Sequence, residues 1–224
     1  MKYRGFTLAE VLITLGIIGV VAALTISTLI SNYVDKSYKV AYKKAFSDVN
    51  QAFQMLSSQG SLQRIEFMVD EAGNPRPGYS GAYGENFKSL AEYFKSTKTC
   101  FDGAQGDNCW KCKGGEQGDI TNQDGNWVGT IECRGEYSFV DAQGRNWKMY
   151  SNNESIFLVD TNGIAGPNKL GKDRFPLRMI NHSDGNQSST KVPDTIRPSY
   201  TFDLLTKDRW CPSGECYYNS WLYK

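Results

Sequence analysis

Apolar residues crowd the start of the chain and then thin into a stripe. From Val11 to Val34 no residue carries a charge. At 1.5 Å per residue, roughly 20 helical residues cross the ~30 Å apolar core of a bilayer, so this run is long enough to span one. Beyond Asn32 the pattern changes. Val34, Tyr38, Ala41, Ala45, Val49, Ala52 and Leu56 recur every three or four positions, while Lys36, Lys39, Lys43, Lys44 and Asp48 mostly fill the positions between. That spacing predicts one continuing helix with an apolar stripe. SSQG at residues 57–60 supplies its stop signals. Taken as one helix, residues 6–57 span roughly 78 Å. The lysines read first as a solvated face and second as a contact for membrane headgroups.

Past the helix the period shortens. Residues 61–99 hold a short apolar stretch, the loop AGNPRPGYSGAYG and a helix predicted over Glu85–Lys95. Residues 100–125, rich in glycine and cysteine, are expected to be irregular and stapled. Strands are predicted over Trp127–Ile131, Glu136–Val140, Arg145–Tyr150 and Ser155–Asp160, with DAQG turning between the second and third. Two aromatic segments follow, Tyr200–Leu205 and the terminal CYYNSWLY. Short strands joined by turns imply an antiparallel sheet, expected to lie across the C-terminal half of the long helix. The predicted fold class is therefore α+β.

Charge and chemistry narrow the function. With 25 basic and 24 acidic residues the net charge is +1, which indicates neither nucleic acid nor a strongly charged substrate. A single histidine, His182, argues against histidine catalysis or a multi-histidine metal site. The chain has no GxSxG, P-loop or HExxH motif. Asp119, Asp124, Glu132 and Glu136 read as scattered surface acids. Trp110, Trp127, Trp147, Trp210 and Trp221 read as packing residues rather than a glycan-binding face. The chain is not read as an enzyme.

The N-terminal run is not an ordinary secretory signal. Its basic region, with Lys2 and Arg4, is short, its apolar region is long, and no A-x-A-like site ends it. The basic flank is expected to stay cytoplasmic and the C-terminal domain to face away from the cytoplasm. A plain anchor leaves Glu10 unexplained, because a charge at the centre of a membrane helix costs about 2.5–3.5 kcal/mol on insertion scales. Even near the membrane face, this carboxylate calls for a partner.

The segment Gly5-Phe6-Thr7-Leu8-Ala9-Glu10-Val11-Leu12-Ile13 closely resembles the prepilin processing motif of type IV pilins and type II secretion pseudopilins. The resemblance implies a type IV pilin-like fold, with residues 1–5 as leader and 6–30 as transmembrane and filament-core helix. Residues 31–60 would continue that helix, and 61–224 would form an extracytoplasmic α+β domain. It implies cleavage between Gly5 and Phe6 by a prepilin peptidase, followed by N-methylation of Phe6. Glu10 would meet the new amine of a neighbouring subunit and set axial register between like helices. Other implied partners are copies of the chain, further pilin-like subunits, an inner-membrane assembly platform and a cytoplasmic motor. The expected role is a structural subunit, first single-pass in the bacterial inner membrane and then in a periplasmic or cell-surface filament. The alternative is a minor tip subunit acting as an adhesin or substrate-binding module. Relatives often carry proline where Ser27 stands, so melting around Gly16–Ser27 is less favoured here.

Two further strings carry candidate chemistry. Cys100, Cys109, Cys112, Cys133, Cys211 and Cys216 suit disulfides in an oxidising compartment, with fifteen pairings open. A four-thiolate zinc site from the first four and a redox-active Cys109–Cys112 pair are the lesser readings. The short loop CPSGEC makes Cys211–Cys216 the favoured single pairing. The string DTNGIAGPNKLGKD, residues 160–173, offers hard oxygens on a glycine-bent loop, as calcium prefers. It resembles a loop common in pilin-like proteins, and more loosely the calcium loop of major pseudopilins. Asp160, Asn162 and Asp173 are candidate ligands of a structural calcium. The competing reading is a turn scaffold with no metal, and no cofactor is required.

Overall fold

A computed structural model describes residues 5, 7–69, 72, 75–79, 81–101, 109–111, 117–121, 127–132, 137–149, 155–169, 172–181, 191–198 and 222. Helix α1 runs Leu8–Ser58 as one unbroken element. Ser27, where many relatives carry proline, stays helical, and its hydroxyl donates to the Ala23 carbonyl at 2.8 Å. The helix ends where SSQG predicts. Gly60 takes φ +68°, and the Ser61 amide reaches back to the Leu56 carbonyl at 2.9 Å. This left-handed glycine closure satisfies carbonyls that a helix end otherwise leaves open.

The chain forms two compact units, Met1–Tyr38 and Lys39–Lys224. In the first, large apolar side chains from Leu8 to Tyr33 stand exposed, and no described residue is buried. Thr14, Thr25, Ser27 and Thr28 each donate their hydroxyl to a carbonyl three or four residues back. The helix surface is therefore apolar, with its hydroxyl protons turned inward.

In the second unit the stripe is buried at Tyr42, Ala45, Val49, Ala52, Phe53 and Leu56. Helix α2, Ala82–Tyr93, adds Tyr83, Phe87, Leu90 and Ala91 to the same core. It begins three residues before the predicted Glu85. The Asn86 side chain clamps Gln63, accepting its amide at 2.6 Å and donating to its carbonyl at 3.0 Å. Against the helices lies a six-stranded antiparallel sheet in the order β10-β9-β8-β7-β6-β3. Its strands are β3 (Lys98–Cys100), β6 (Ser138–Val140), β7 (Asn146–Met149), β8 (Ile156–Asp160), β9 (Arg174–Ile180) and β10 (Thr195–Pro198). Strands β6, β7 and β8 fall inside predicted ranges, while β3, β9 and β10 lie outside every predicted strand. Two hairpins stand apart from it: β1 (Phe67–Val69) with β2 (Pro75–Tyr79), and β4 (Gln117–Thr121) with β5 (Trp127–Glu132). So the stretch 100–125 is not wholly irregular, because β4 lies within it and pairs with the predicted strand at Trp127.

The pleat sorts the sheet into two faces. Phe139 and Phe157 meet Phe87 of α2 with ring centroids 5.1 and 5.9 Å apart. Phe175 stacks on Tyr42 of α1 at 4.2 Å. The alternate positions, Asn146, Asp160 and Arg174, line up across β7, β8 and β9 on the opposite face. Cys100, beside the inward Thr99–Phe139 pair, shares that opposite face. The segments Tyr200–Leu205 and CYYNSWLY, apart from Leu222, lie outside the described residues, as do His182, Cys112, Cys133, Cys211 and Cys216.

Candidate functional site

Two places carry the residues singled out from sequence. The first is the head of α1. Thr7 stands just before the helix, and its amide donates to Glu10 Oε2 at 2.8 Å. Its hydroxyl donates to the same oxygen at 2.9 Å, and the Glu10 amide reaches back to Thr7 Oγ1 at 3.3 Å. This is a capping box, in which a Thr and a Glu three residues later satisfy each other's open donors. Sequence reasoning treated Glu10 as a charge in want of a foreign partner and overlooked that Thr7-Leu8-Ala9-Glu10 has the required spacing. In the isolated chain the carboxylate already has a local partner. Gly5 lies outside the helix, and a Cβ built there meets nothing within 4 Å. Among the described residues no packing demands glycine at that position. Phe6 lies outside the described residues.

The second place is the loop joining β8 to β9. Asp160 and Arg174 are ladder partners at its two ends. Arg174 Nε donates to Asp160 Oδ2 at 2.7 Å, and the other oxygen, Oδ1, is buried without a well-formed hydrogen bond. Burial pushes the Asp160 carboxyl up to about 7, against the opposing pull of the Arg174 guanidinium. Asp173 is fully buried, and burial raises its carboxyl too. Its two oxygens accept the amides of Asn168 and Lys169 at 2.7 and 2.6 Å, which hold the carboxyl back towards its usual range. Thr161 closes the loop by donating its amide to the Asp173 carbonyl at 2.8 Å. Asn162 is exposed, and its side chain donates to the Gly166 carbonyl at 3.0 Å.

Asp160 and Asp173 thus flank one loop as the sequence suggested, but Asn162 turns outward. Calcium takes six to eight oxygens. Here Arg174 sits on one Asp160 oxygen, and loop amides occupy both oxygens of Asp173. Among the described residues no group of three or more His, Cys, Asp or Glu is placed to hold a metal. The donor set fits calcium only if Arg174 leaves Asp160. We therefore expect the melting temperature of the detergent-solubilised chain to stay the same in millimolar calcium and in chelator. A calcium-dependent rise of several degrees would assign the loop to the ion instead.

Gly163 secures this loop against the β6–β7 turn. It takes φ +72°, and a Cβ there would lie 2.6 Å from the Gly144 carbonyl oxygen. Both the backbone angle and the clash with main chain exclude a side chain. Gly163→Ala is expected to cost about 1–3 kcal/mol, the range for holding a side chain in a strained backbone position, read as a lower denaturant midpoint. A neutral result would mean that the two turns do not touch.

Of the six cysteines, Cys100 and Cys109 form a disulfide with Cα atoms 6.3 Å apart. The CxxC pair and the zinc set each include Cys112, and the zinc set also Cys133. Those residues and the favoured Cys211–Cys216 pairing lie outside the described residues.

Among known proteins, the family model for the prokaryotic N-terminal methylation motif matches residues 1–26. No curated protein and no solved structure matches the chain.

Proposed function

Because residues 1–26 carry the prepilin-type cleavage motif found in type IV pilins and pseudopilins, we propose that the protein is a structural subunit of a type IV pilus or type II secretion-type filament. The observation that carries this reading is the unburied, uncharged stretch of α1 from Val11 to Val34, headed by Glu10 inside that motif. Such a surface needs lipid or other apolar helices around it. In the precursor, lipid supplies the cover and the domain beyond residue 60 lies outside the cytoplasm. A prepilin peptidase then cuts between Gly5 and Phe6, and the new Phe6 amine is methylated. The inner-membrane platform draws the helix out of lipid, and copies of the same helix or those of related subunits take the lipid's place.

Glu10 has a defined part in this exchange. Held by Thr7, its charge is partly satisfied before assembly. In the filament it turns to the positive amine of a neighbour, since a buried charge pair is far better than either charge alone. Asp160, Asn162 and Asp173 take no part in this chemistry and serve the fold of the domain.

Mass spectrometry of the native protein tests the processing step. The expected chain begins at N-methyl-Phe6. Gly5→Val, which the open space around Gly5 tolerates, is expected to leave the fold intact and accumulate uncut chain in the membrane. A working form that keeps Met1–Gly5 would sink the proposal.

A further inference from the structure

Arg174 is held by its acid and also by Trp110 and Lys111, which lie outside the sheet's strands. Its guanidinium lies over the Trp110 ring, 4.4 Å from the centroid. Nη2 donates to the Lys111 carbonyl at 2.5 Å and to Asn168 Oδ1 at 2.8 Å, while Nε holds Asp160. Trp110 and Lys111 belong to neither helix nor strand. Among the described residues two things hold them: Trp110 packs against the hydrophobic core, and one residue earlier buried Cys109 is joined to Cys100 at the end of edge strand β3. Cys100 and Arg174 lie on the same outer face of the sheet, with three strands between theirs.

We propose that the Cys100–Cys109 disulfide is a redox device that sets the β8–β9 loop. Its closure delivers the Trp110 ring and the Lys111 carbonyl to Arg174, and Arg174 so fixed ties Asp160 to Asn168. Chemically, two Sγ–H bonds break and one Sγ–Sγ bond forms. Two electrons and two protons pass to the disulfide of a donor protein, which leaves as a dithiol. In the reduced chain Arg174 keeps Asp160 but loses its cover, and the loop opens more often. The timing rests on the proposed export: a subunit would acquire its final loop surface, with exposed Ile164 at its tip, only after its domain reaches an oxidising compartment. The coupling itself does not depend on filament assembly.

Hydrogen exchange on the full chain in detergent tests it without any filament. The relevant amides are Thr161, which donates to Asp173, and Asp173 and Arg174, which donate to Lys169. In the Cys100→Ser/Cys109→Ser double variant they are expected to exchange about tenfold faster, the loss of one charge-assisted hydrogen bond and one cation–π contact. The Met149 amide, bonded to the Tyr137 carbonyl, is expected to stay unchanged. Trp110→Ala, which keeps the disulfide, is expected to give the same local pattern, and if the serine pair fails to fold, the unmutated chain compared before and after dithiothreitol is expected to show the same acceleration on reduction and decides the matter. Unchanged loop exchange in Trp110→Ala, or acceleration spread equally over the sheet, would overturn the proposal. Failure of the processing experiment would leave this result intact, so the two readings are separable.

Discussion

Glu10→Ala is expected to abolish incorporation into a filament while leaving the chain fully inserted in the membrane. Two effects of the carboxylate separate here. It accepts from the Thr7 amide and hydroxyl, and losing that half of the capping box costs about 1 kcal/mol. An apolar helix of this length stays in lipid regardless of that loss, and alanine removes a charge that opposed insertion. The proposed bond to a neighbour's amine has no substitute, and its loss strands a buried cation, a cost of about 3–5 kcal/mol at every subunit contact. Sheared-filament yield set against membrane-fraction content measures the split. Thr7→Ala provides the control, because it breaks the capping box and keeps the carboxylate. A Glu10→Ala protein that assembles normally would remove the register role, and equal defects in the two variants would assign Glu10 to capping alone.

The second large effect is expected at Arg145, where the sheet is bolted to the helix. Its Nε donates to Asp141 at 2.6 Å and Nη1 to Asp48 of α1 at 2.8 Å, and Nη2 bonds Gln143. The guanidinium also lies over the Phe94 and Trp147 rings at 5.7 and 5.4 Å. Asp141 is almost wholly buried. Arg145→Met keeps most of the stem and removes the charge, which leaves Asp141 as a buried anion. Three donors remain on that carboxylate: the Gln143 and Arg145 amides and the Trp147 indole. We therefore expect the low end of the range for breaking a buried pair, about 3 kcal/mol. In a protein of this size that lowers the melting temperature by roughly 6–12 °C. Asp141→Asn is expected to cost at least as much, since each carboxylate oxygen accepts two donors and the amide nitrogen that replaces one of them cannot accept. A loss below about 1 kcal/mol for Arg145→Met would show that aromatic packing, and not the ion pair, joins the layers.

How much of this was open to sequence reasoning follows from the physics of each element. α1 was legible because two different periodicities, an unbroken apolar run and then a stripe, both demand helix. β6, β7 and β8 were legible because compact apolar segments flank a plain turn. β9 was hidden by Pro176, since a residue with no amide argues against a central strand, yet it faces Leu158 inside the sheet. β4 was hidden by the glycine and cysteine around it. The Cys100–Cys109 pairing was beyond reach, because spacing alone does not choose among fifteen connectivities. The Asp160 loop shows a different limit. Its acids signal oxygen ligands, but the cation that meets one of them is Arg174, just beyond the string, and only the ladder brings the two together. At the helix head the signal was present in Thr7 and Glu10, but attention to charge obscured it.

The inward-turned hydroxyls of Thr14, Thr25, Ser27 and Thr28 bear on mechanics. A rod whose hydroxyl protons at these four positions are spent on its own backbone offers few hydrogen bonds there to a neighbouring rod. Neighbouring rods grip by dispersion forces, which change gradually as one surface slides past the next. In the proposed filament, the resistance to such sliding would then fall on the few polar contacts that remain. One of them would be the carboxylate at the rod's tip.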